Sequence, residues 1–466
     1  MVFSSDIFLF LFAPAFFLIY CPAPFRFKNA VLLGANLVFY TLGTGTHVWV
    51  LLVSILANFV FGRRIGDTEE GPRKTALFWT AIVFNLSFLI YYKYMAFFIG
   101  GAESLLQPFG LYLHIPLPAP TLPLGISFFT FQAISYIADI YLEQVRPARR
   151  LVDFGMYHSL FPQLIAGPIV RYAEVEAEVS RRRLDWAEAA AGTHRFMLGL
   201  GKKLLIANPI GQVSDAIFSL PQGELSTGAA WLGAVAYAFQ IYYDFSGYSD
   251  MAIGLGRILG FTFPENFNQP FRAQSITEFW RRWHMTLFRW LRDYLFIPLG
   301  GFRPGPRSYL ALMFVFIVCG LWHSATMTYV VWGAYQAVLL AAERYVVTRY
   351  GRVQKGLWAV MLTFILTLFG IVVIRSPDLG AATHYIGVML ASGGAPSAMS
   401  PPASFLDPEK LFIFAIAAVF AWAPVERLKP GPRVVQLRYA ASLGVFALSV
   451  IVLSASSFNP FIYFRF

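Results

Sequence analysis

Sustained apolar runs, each close to the roughly 20 residues that a helix needs to cross about 30 Å of hydrocarbon, recur along most of this chain. They are read at 6–21, 29–44, 47–62, 75–99, 122–142, 151–170, 196–218, 229–245, 308–326, 327–343, 357–374, 409–425 and 437–456. Within lipid every backbone N–H and C=O must be paired internally, which restricts such runs to helices or a closed barrel; their length points to an all-α polytopic membrane protein. Composition agrees. Of 466 residues, 57% are hydrophobic and 13% charged, and mean hydropathy is +0.59, well beyond a soluble domain's apolar share. The run at 6–21 is short and holds Pro14, yet it lacks a basic flank and a small-residue cleavage site, so a retained span is expected. Runs 122–142 and 151–170 carry enough Pro, Gly and polar residues to be broken or re-entrant.

A net charge of +11 would suggest nucleic acid in a soluble chain, but its distribution has another reading. Basic residues cluster at Arg26/Lys28, Arg63/Arg64/Arg73/Lys74, Arg146/Arg149/Arg150, Arg181 to Arg183, Lys202/Lys203, Arg344/Arg349/Arg352/Lys355 and Arg427/Lys429/Arg433, whereas connections 100–121, 219–228 and 376–408 contain no Lys or Arg. The positive-inside rule puts the first set in the cytoplasm and the second outside. If 151–170 dips in and returns, both termini are expected outside.

No short repeat or heptad array is visible, and the main composition shift is the Gly/Pro/Ser-rich loop Ser392 to Ser404. A single integral membrane domain, 1–466, is expected, with N-terminal helices to 121, a core over 122–345 and C-terminal helices from 346. Residues 161–171, 244–250 and 264–273 are rich in Pro, Gly, Asn, Asp and Ser. Irregular backbone is tolerated at membrane depth only inside protein or around a wet cavity, so the central third should wall a polar cavity.

Two Trp-His pairs, Trp283-His284 and Trp322-His323, stand in or beside this apolar sequence. A titratable imidazole is costly to hold at membrane depth, so each is a candidate functional residue. A helix-helix hydrogen bond is the plain structural alternative. Around the first pair, Trp280, Trp283, Leu287, Trp290, Leu291 and Tyr294 recur at helical spacing while Arg281, Arg282, Arg289 and Arg292 form a basic face. The spacing predicts an amphipathic helix over 272–300 lying in the membrane interface, its arginines suited either to an anionic donor such as a coenzyme A thioester or to lipid headgroups.

The remaining candidates are weaker. His47, His114, His194 and His384 read as ordinary surface or helix-end residues, and His158 precedes the Pro-rich 161–171 segment. No histidine pair has the i, i+4 spacing of a zinc hydrolase, and no metal site is expected. Cys21 and Cys319 are too few for a disulfide framework; Cys319 reads as packing and less readily as an acyl-carrying nucleophile. Asp244 and Asp250 frame Ser246 and Ser249, but the Gly-x-Ser-x-Gly elbow is absent. Buried aspartates need partners, for which Arg272 or Arg282 are candidates.

The ordered blocks Leu122-Pro-Leu-Gly-Ile-Ser-Phe-Phe-Thr-Phe131, Phe161-Pro-Gln-Leu-Ile-Ala-Gly-Pro168, Tyr242-Tyr-Asp-Phe-Ser-Gly-Tyr-Ser-Asp250, Phe263-Pro-Glu-Asn-Phe267, Ser275 to His284, Trp290-Leu-Arg-Asp-Tyr294, Ile297-Pro-Leu-Gly-Gly301 and Gly320-Leu-Trp-His323 resemble the membrane-bound O-acyltransferase (MBOAT) family, and within it the bacterial branch that acetylates polysaccharides. The resemblance runs from Met1-Val-Phe-Ser-Ser5 to Ser457-Phe-Asn-Pro-Phe-Ile-Tyr-Phe464. It implies about 11–13 membrane-embedded helices, re-entrant and interfacial ones included, around a central funnel. It further implies acyl transfer with His323 as the catalytic histidine, read as general base for the acceptor hydroxyl, and His284 at the second active-site position, read as an orienting or oxyanion-stabilising partner, or the two in reversed order. The substrate passage would be lined by Trp322, Trp283, Gln163, Asp244, Ser246, Asp250 and Asn266.

The implied reaction takes an acetyl group from a cytoplasmic donor, acetyl-CoA, and passes it outward to a separate periplasmic acetyltransferase partner that esterifies an exported polysaccharide, alginate first. Peptidoglycan, cellulose and D-alanyl transfer to teichoic acid are alternatives. So is a transporter whose histidines relay protons.

Overall fold

The computed structural model describes residues 2–111, 122–303, 305–351, 355–391, 401–423 and 432–455. The block Ser457 to Phe464, His114, Arg352, Arg427, Lys429 and most of the Ser392 to Ser404 loop lie outside the described residues. Helix dominates the rest. Among the described residues five stretches are long and apolar enough to cross a membrane: Phe25–Gly66, Pro72–Phe109, Pro306–His323, Leu357–Arg375 and Gln436–Ala455. Ile7–Tyr20 and Leu379–Leu390 are shorter apolar helices. The second of these falls within 376–408, which was expected to be a connection.

The chain divides into two compact units, Met1–Gly192 with Leu255–Pro264, and Thr193–Gly254 with Glu265–Phe466. In the first, Asn58 and Asn85 exchange amide hydrogen bonds at 2.9 and 2.7 Å. Two buried amides that satisfy each other tie helix Val48–Gly66 to helix Pro72–Leu89 without leaving a polar group stranded in an apolar setting. Run 151–170 is broken, as its Pro and Gly content predicts. Helix Leu151–His158 stops, a single turn follows at Phe161–Leu164, and the irregular buried segment after it is tied down by the Tyr157 hydroxyl, which donates to Val170 O at 2.9 Å. His158 is fully buried, its Nε2 2.9 Å from Ser54 Oγ.

The second unit is organised around Thr227–Ile258, a helix of 32 residues. Residues 244–250 lie inside it. Their Gly and Ser content does not make them irregular, because the small side chains serve close packing: Gly247 lies against the backbone of Gly199, on helix Trp186–Gly201. Immediately after that helix a π-helical turn, Lys202–Ala207, presents two consecutive lysines. Lys202 pairs with Asp250 at 2.6 Å and Lys203 with Asp244 at 2.7 Å. These lysines, with Arg195 on Asp250 at 2.8 Å, are the partners of the two aspartates. Arg272 and Arg282 are engaged elsewhere, Arg272 with Gln269 and Arg282 with Glu278 and Asn268. Sequence distance misled here: the lysines precede the aspartates by some forty residues and meet them only because the helices cross at glycine.

The expected amphipathic helix over 272–300 is not continuous. It forms Ile276–Trp280, a turn through His284, then Met285–Leu291 and a π-helical turn Arg292–Phe296. Trp280, Trp283, Leu287, Trp290 and Leu291 are buried in the protein, so its apolar side is core. Both cysteines are free thiols, Cys21 exposed and Cys319 buried.

Candidate active site

The two histidines arrive by different routes. His323 is the last residue of helix Pro306–His323, which packs directly on helix Met327–Tyr350. A Cβ at Gly320 would collide with Tyr329 O, and one at Gly333 with Phe316 O. Only glycine permits this backbone approach, and it sets the His323 ring 5.6 Å from Trp332 and 6.3 Å from Tyr329, between centroids.

His284 sits in the turn between Ile276–Trp280 and Met285–Leu291, at φ 43° and ψ 51°. A non-glycine residue in this left-handed region is strained and persists where surrounding bonds over-determine it. Two backbone bonds do so: Asn268 N–H donates to Arg282 O and Met285 N–H to Asn266 O, both at 2.9 Å. The ring is fully buried, edge-on to Phe245 at 4.8 Å, 6.1 Å from Trp322 and 6.4 Å from His323. His284 Nδ1 lies 3.0 Å from Asn266 Oδ1. Burial, with the neighbouring His323 ring adding to it, holds the His284 pKa well below its ordinary value; the residue lies outside the five apolar spans. Both effects disfavour imidazolium.

Beside the pair opens a cavity lined by His323, Asp244, Phe245, Trp280, Trp283, Gln336 and Thr367, with Ile241, Phe279, Tyr329, Trp332, Ile371 and Ile374. Its wall is aromatic and apolar with a few convergent polar groups, the usual make-up of a small-molecule site. Trp280 Nε1–H donates to Gln336 Oε1 at 3.2 Å, so two wall residues orient each other. Asp244 brings a carboxylate that Lys203 pairs, both side chains 3% exposed; the charge is balanced before any substrate enters.

Of the residues singled out in the sequence, His323, Trp283 and Asp244 line the cavity. Trp322 packs against both histidines. Asn266 holds His284 and, through its amide, Ser249 Oγ at 3.1 Å. Ser246 Oγ is buried and meets no hydrogen-bonding atom among the described residues. Asp250 is engaged by Lys202 and Arg195 and is not among the lining residues. Gln163 belongs to the first unit, where its amide donates to Tyr157 O at 2.7 Å. Gln336 and Thr367 were missed. A glutamine in the apolar run 327–342 and a threonine in the apolar run 357–374 are the signal that would have found them. No cluster of three His, Cys, Asp or Glu with the spacing to hold a metal ion occurs among the described residues.

A half-buried imidazole in the wall of a largely apolar cavity, with a second, fully buried imidazole behind it, can move a proton, which suits transfer of an activated acyl group. The model described as MBOAT, membrane-bound O-acyltransferase family, matches residues 117–375, more than half the chain and including both histidines. The probable alginate O-acetylase AlgI of Pseudomonas putida is 39% identical over the full length of both chains. The protein of the same name in Pseudomonas aeruginosa is 42% identical over 84% of this chain and 75% of its own. The peptidoglycan O-acetyltransferase of Helicobacter pylori is 32% identical over 84% of this chain and 80% of its own. This chain, a multi-pass bacterial membrane protein and an acyltransferase, belongs to the membrane-bound O-acyltransferase family.

Proposed function

We propose that the chain is an O-acetyltransferase of the inner membrane that takes acetyl from a cytoplasmic thioester, acetyl-CoA, and delivers it outward for esterification of an exported polysaccharide, alginate first. The observation that carries the reading is the His284–His323 pair, 6.4 Å apart, with His323 in the wall of an apolar cavity. The relatives named for alginate O-acetylation supply the acceptor class.

In the proposed reaction His323 accepts the proton of the attacking hydroxyl as the new C–O bond forms. The thioester C–S bond then breaks, and the thiolate leaves and recovers that proton from the imidazolium. A neutral imidazole suits the first half and its conjugate acid the second. The acetylated hydroxyl belongs to a carrier or to a separate periplasmic acetyltransferase, which completes transfer to the polymer. A second reading, acetylation of peptidoglycan, is favoured by the Helicobacter pylori relative.

The test is His323→Ala in the native host, with base-labile acetate measured on alginate and on peptidoglycan and polymer export measured alongside. The acetyl ester on one polymer should fall by roughly 10²–10⁴-fold, the range for losing a positioned acid-base group, while export continues. Unchanged ester would sink the reading, and arrested export would point to a transporter. Acetylation of polymer by this polypeptide alone, reconstituted with acetyl-CoA, would remove the separate partner.

A further inference from the structure

The hydrogen bonds around Asn266 determine more than the position of His284. A backbone N–H can only donate, and that of Thr286 points to Asn266 Oδ1 at 3.3 Å. The Thr286 hydroxyl donates to the same oxygen at 2.9 Å, while Asn266 Nδ2 donates to Ser249 Oγ at 3.1 Å on helix Thr227–Ile258. These bonds fix which end of the amide is oxygen. The atom 3.0 Å from His284 Nδ1 is therefore an acceptor, and a neutral imidazole facing it must carry its hydrogen on Nδ1. The lone pair then falls on Nε2, which is buried and meets no hydrogen-bonding atom among the described residues. Asn266 also grips the turn through its carbonyl oxygen, which accepts from Met285 N–H, and its side chain is 0% exposed.

We infer that Asn266 is a positioning residue that holds His284 as the Nδ1–H tautomer, so that His284 presents an accepting nitrogen and not a donating one. This deepens the acyl-transfer reading and rests on it for its functional meaning. A ring whose free nitrogen bears no hydrogen cannot stabilise an oxyanion by donation while neutral, and burial disfavours the charged form that could. His284 is thereby the proton-accepting member that backs His323. The pattern is a buried acceptor orienting one imidazole nitrogen to define the chemistry of the other. His323 is the titratable side chain that acts electrostatically on the ring; Phe245, Phe267 and Trp322 supply its other near faces.

The tautomer is measurable without turnover. Solid-state ¹⁵N NMR of the full-length protein in lipid, with ¹⁵N-histidine and the His284 signals assigned by their loss in His284→Gln, should show protonated Nδ1 and unprotonated Nε2 at neutral pH. Asn266→Ala should shift that ring toward the Nε2–H form and lower acetyl transfer by roughly 10–100-fold, the scale for removing an orienting partner. Asn266→Asp keeps an acceptor and adds negative charge. It should recover most of the loss and move the acidic limb of the pH-rate profile upward, because a carboxylate stabilises imidazolium; a purely structural role would leave that limb in place. Protonated Nε2 in the wild-type protein overturns the inference, as does a tautomer unaltered in Asn266→Ala. If the Nδ1–H form is found while His323→Ala leaves polymer acetylation intact, the positioning role stands and the acyl-transfer reading fails.

Discussion

Gly199 and Gly247 meet backbone to backbone: a Cβ on the first would stand 2.6 Å from Gly247 O, and one on the second 2.7 Å from Gly199 O. This contact sets the crossing of helix Trp186–Gly201 with helix Thr227–Ile258, and with it the reach of Lys202 and Lys203 to Asp250 and Asp244.

Because the obstructing atoms are backbone, neither helix can yield by a rotamer change. Gly247→Ala is expected to destabilise the protein by about 1–3 kcal/mol, the usual cost of overpacking. Gly387→Ala, whose Cβ meets nothing within 4 Å inside helix Leu379–Leu390, should not destabilise and should gain up to about 1 kcal/mol of helix propensity. Thermal unfolding in detergent, followed by size-exclusion recovery, compares the two. Equal midpoints would show that the crossing is not close.

Asp250 lies beyond the apolar run 229–245. Burial pushes its carboxyl pKa upward, but Lys202 and Arg195 outweigh it and hold the group below the usual carboxylate range. A depressed folded pKa contributes stability that is complete above the unfolded value of about 3.9 and is lost as pH falls through the folded value. The wild-type protein should therefore lose stability on acidification below about pH 4. Asp250→Asn should flatten that part of the curve while lowering stability at pH 7 by about 1–3 kcal/mol, since Lys202 loses its carboxylate partner whereas Arg195 keeps Glu265. An unchanged acid limb in the variant would remove Asp250 as its source.

Cys319 is buried one helical turn before His323 on the same helix, a placement that invites a covalent acyl-cysteine. The lining of the cavity does not include it, so packing is its role. Cys319→Ala should cost about 1 kcal/mol, comparable to a buried methylene, and retain most acetyl transfer. Loss of transfer together with a thioester adduct on the wild-type chain by mass spectrometry would assign it to the chemistry.

Much of this protein is legible in its sequence, because a membrane constrains sequence as few other environments do. Apolar runs at 308–326, 327–343 and 357–374 became helices Pro306–His323, Met327–Tyr350 and Leu357–Arg375. Pro and Gly correctly marked 161–171 as broken, yet misled at 244–250, where small residues serve a helix crossing. Helical spacing over 272–300 correctly identified which side chains are apolar. It could not show the break at His284, since a left-handed residue held by Asn266 and Asn268 leaves no periodic trace.

Sequence alone thus determined the all-α membrane character and the two histidines worth testing, because hydropathy and rare polar residues are local properties of the chain. Only the tertiary structure decided which cations neutralise Asp244 and Asp250, which glycines bring helices together, and which His284 nitrogen accepts. Those outcomes depend on hydrogen-bond and ion-pair partners distant along the chain, and a partner is chosen by where the helices cross.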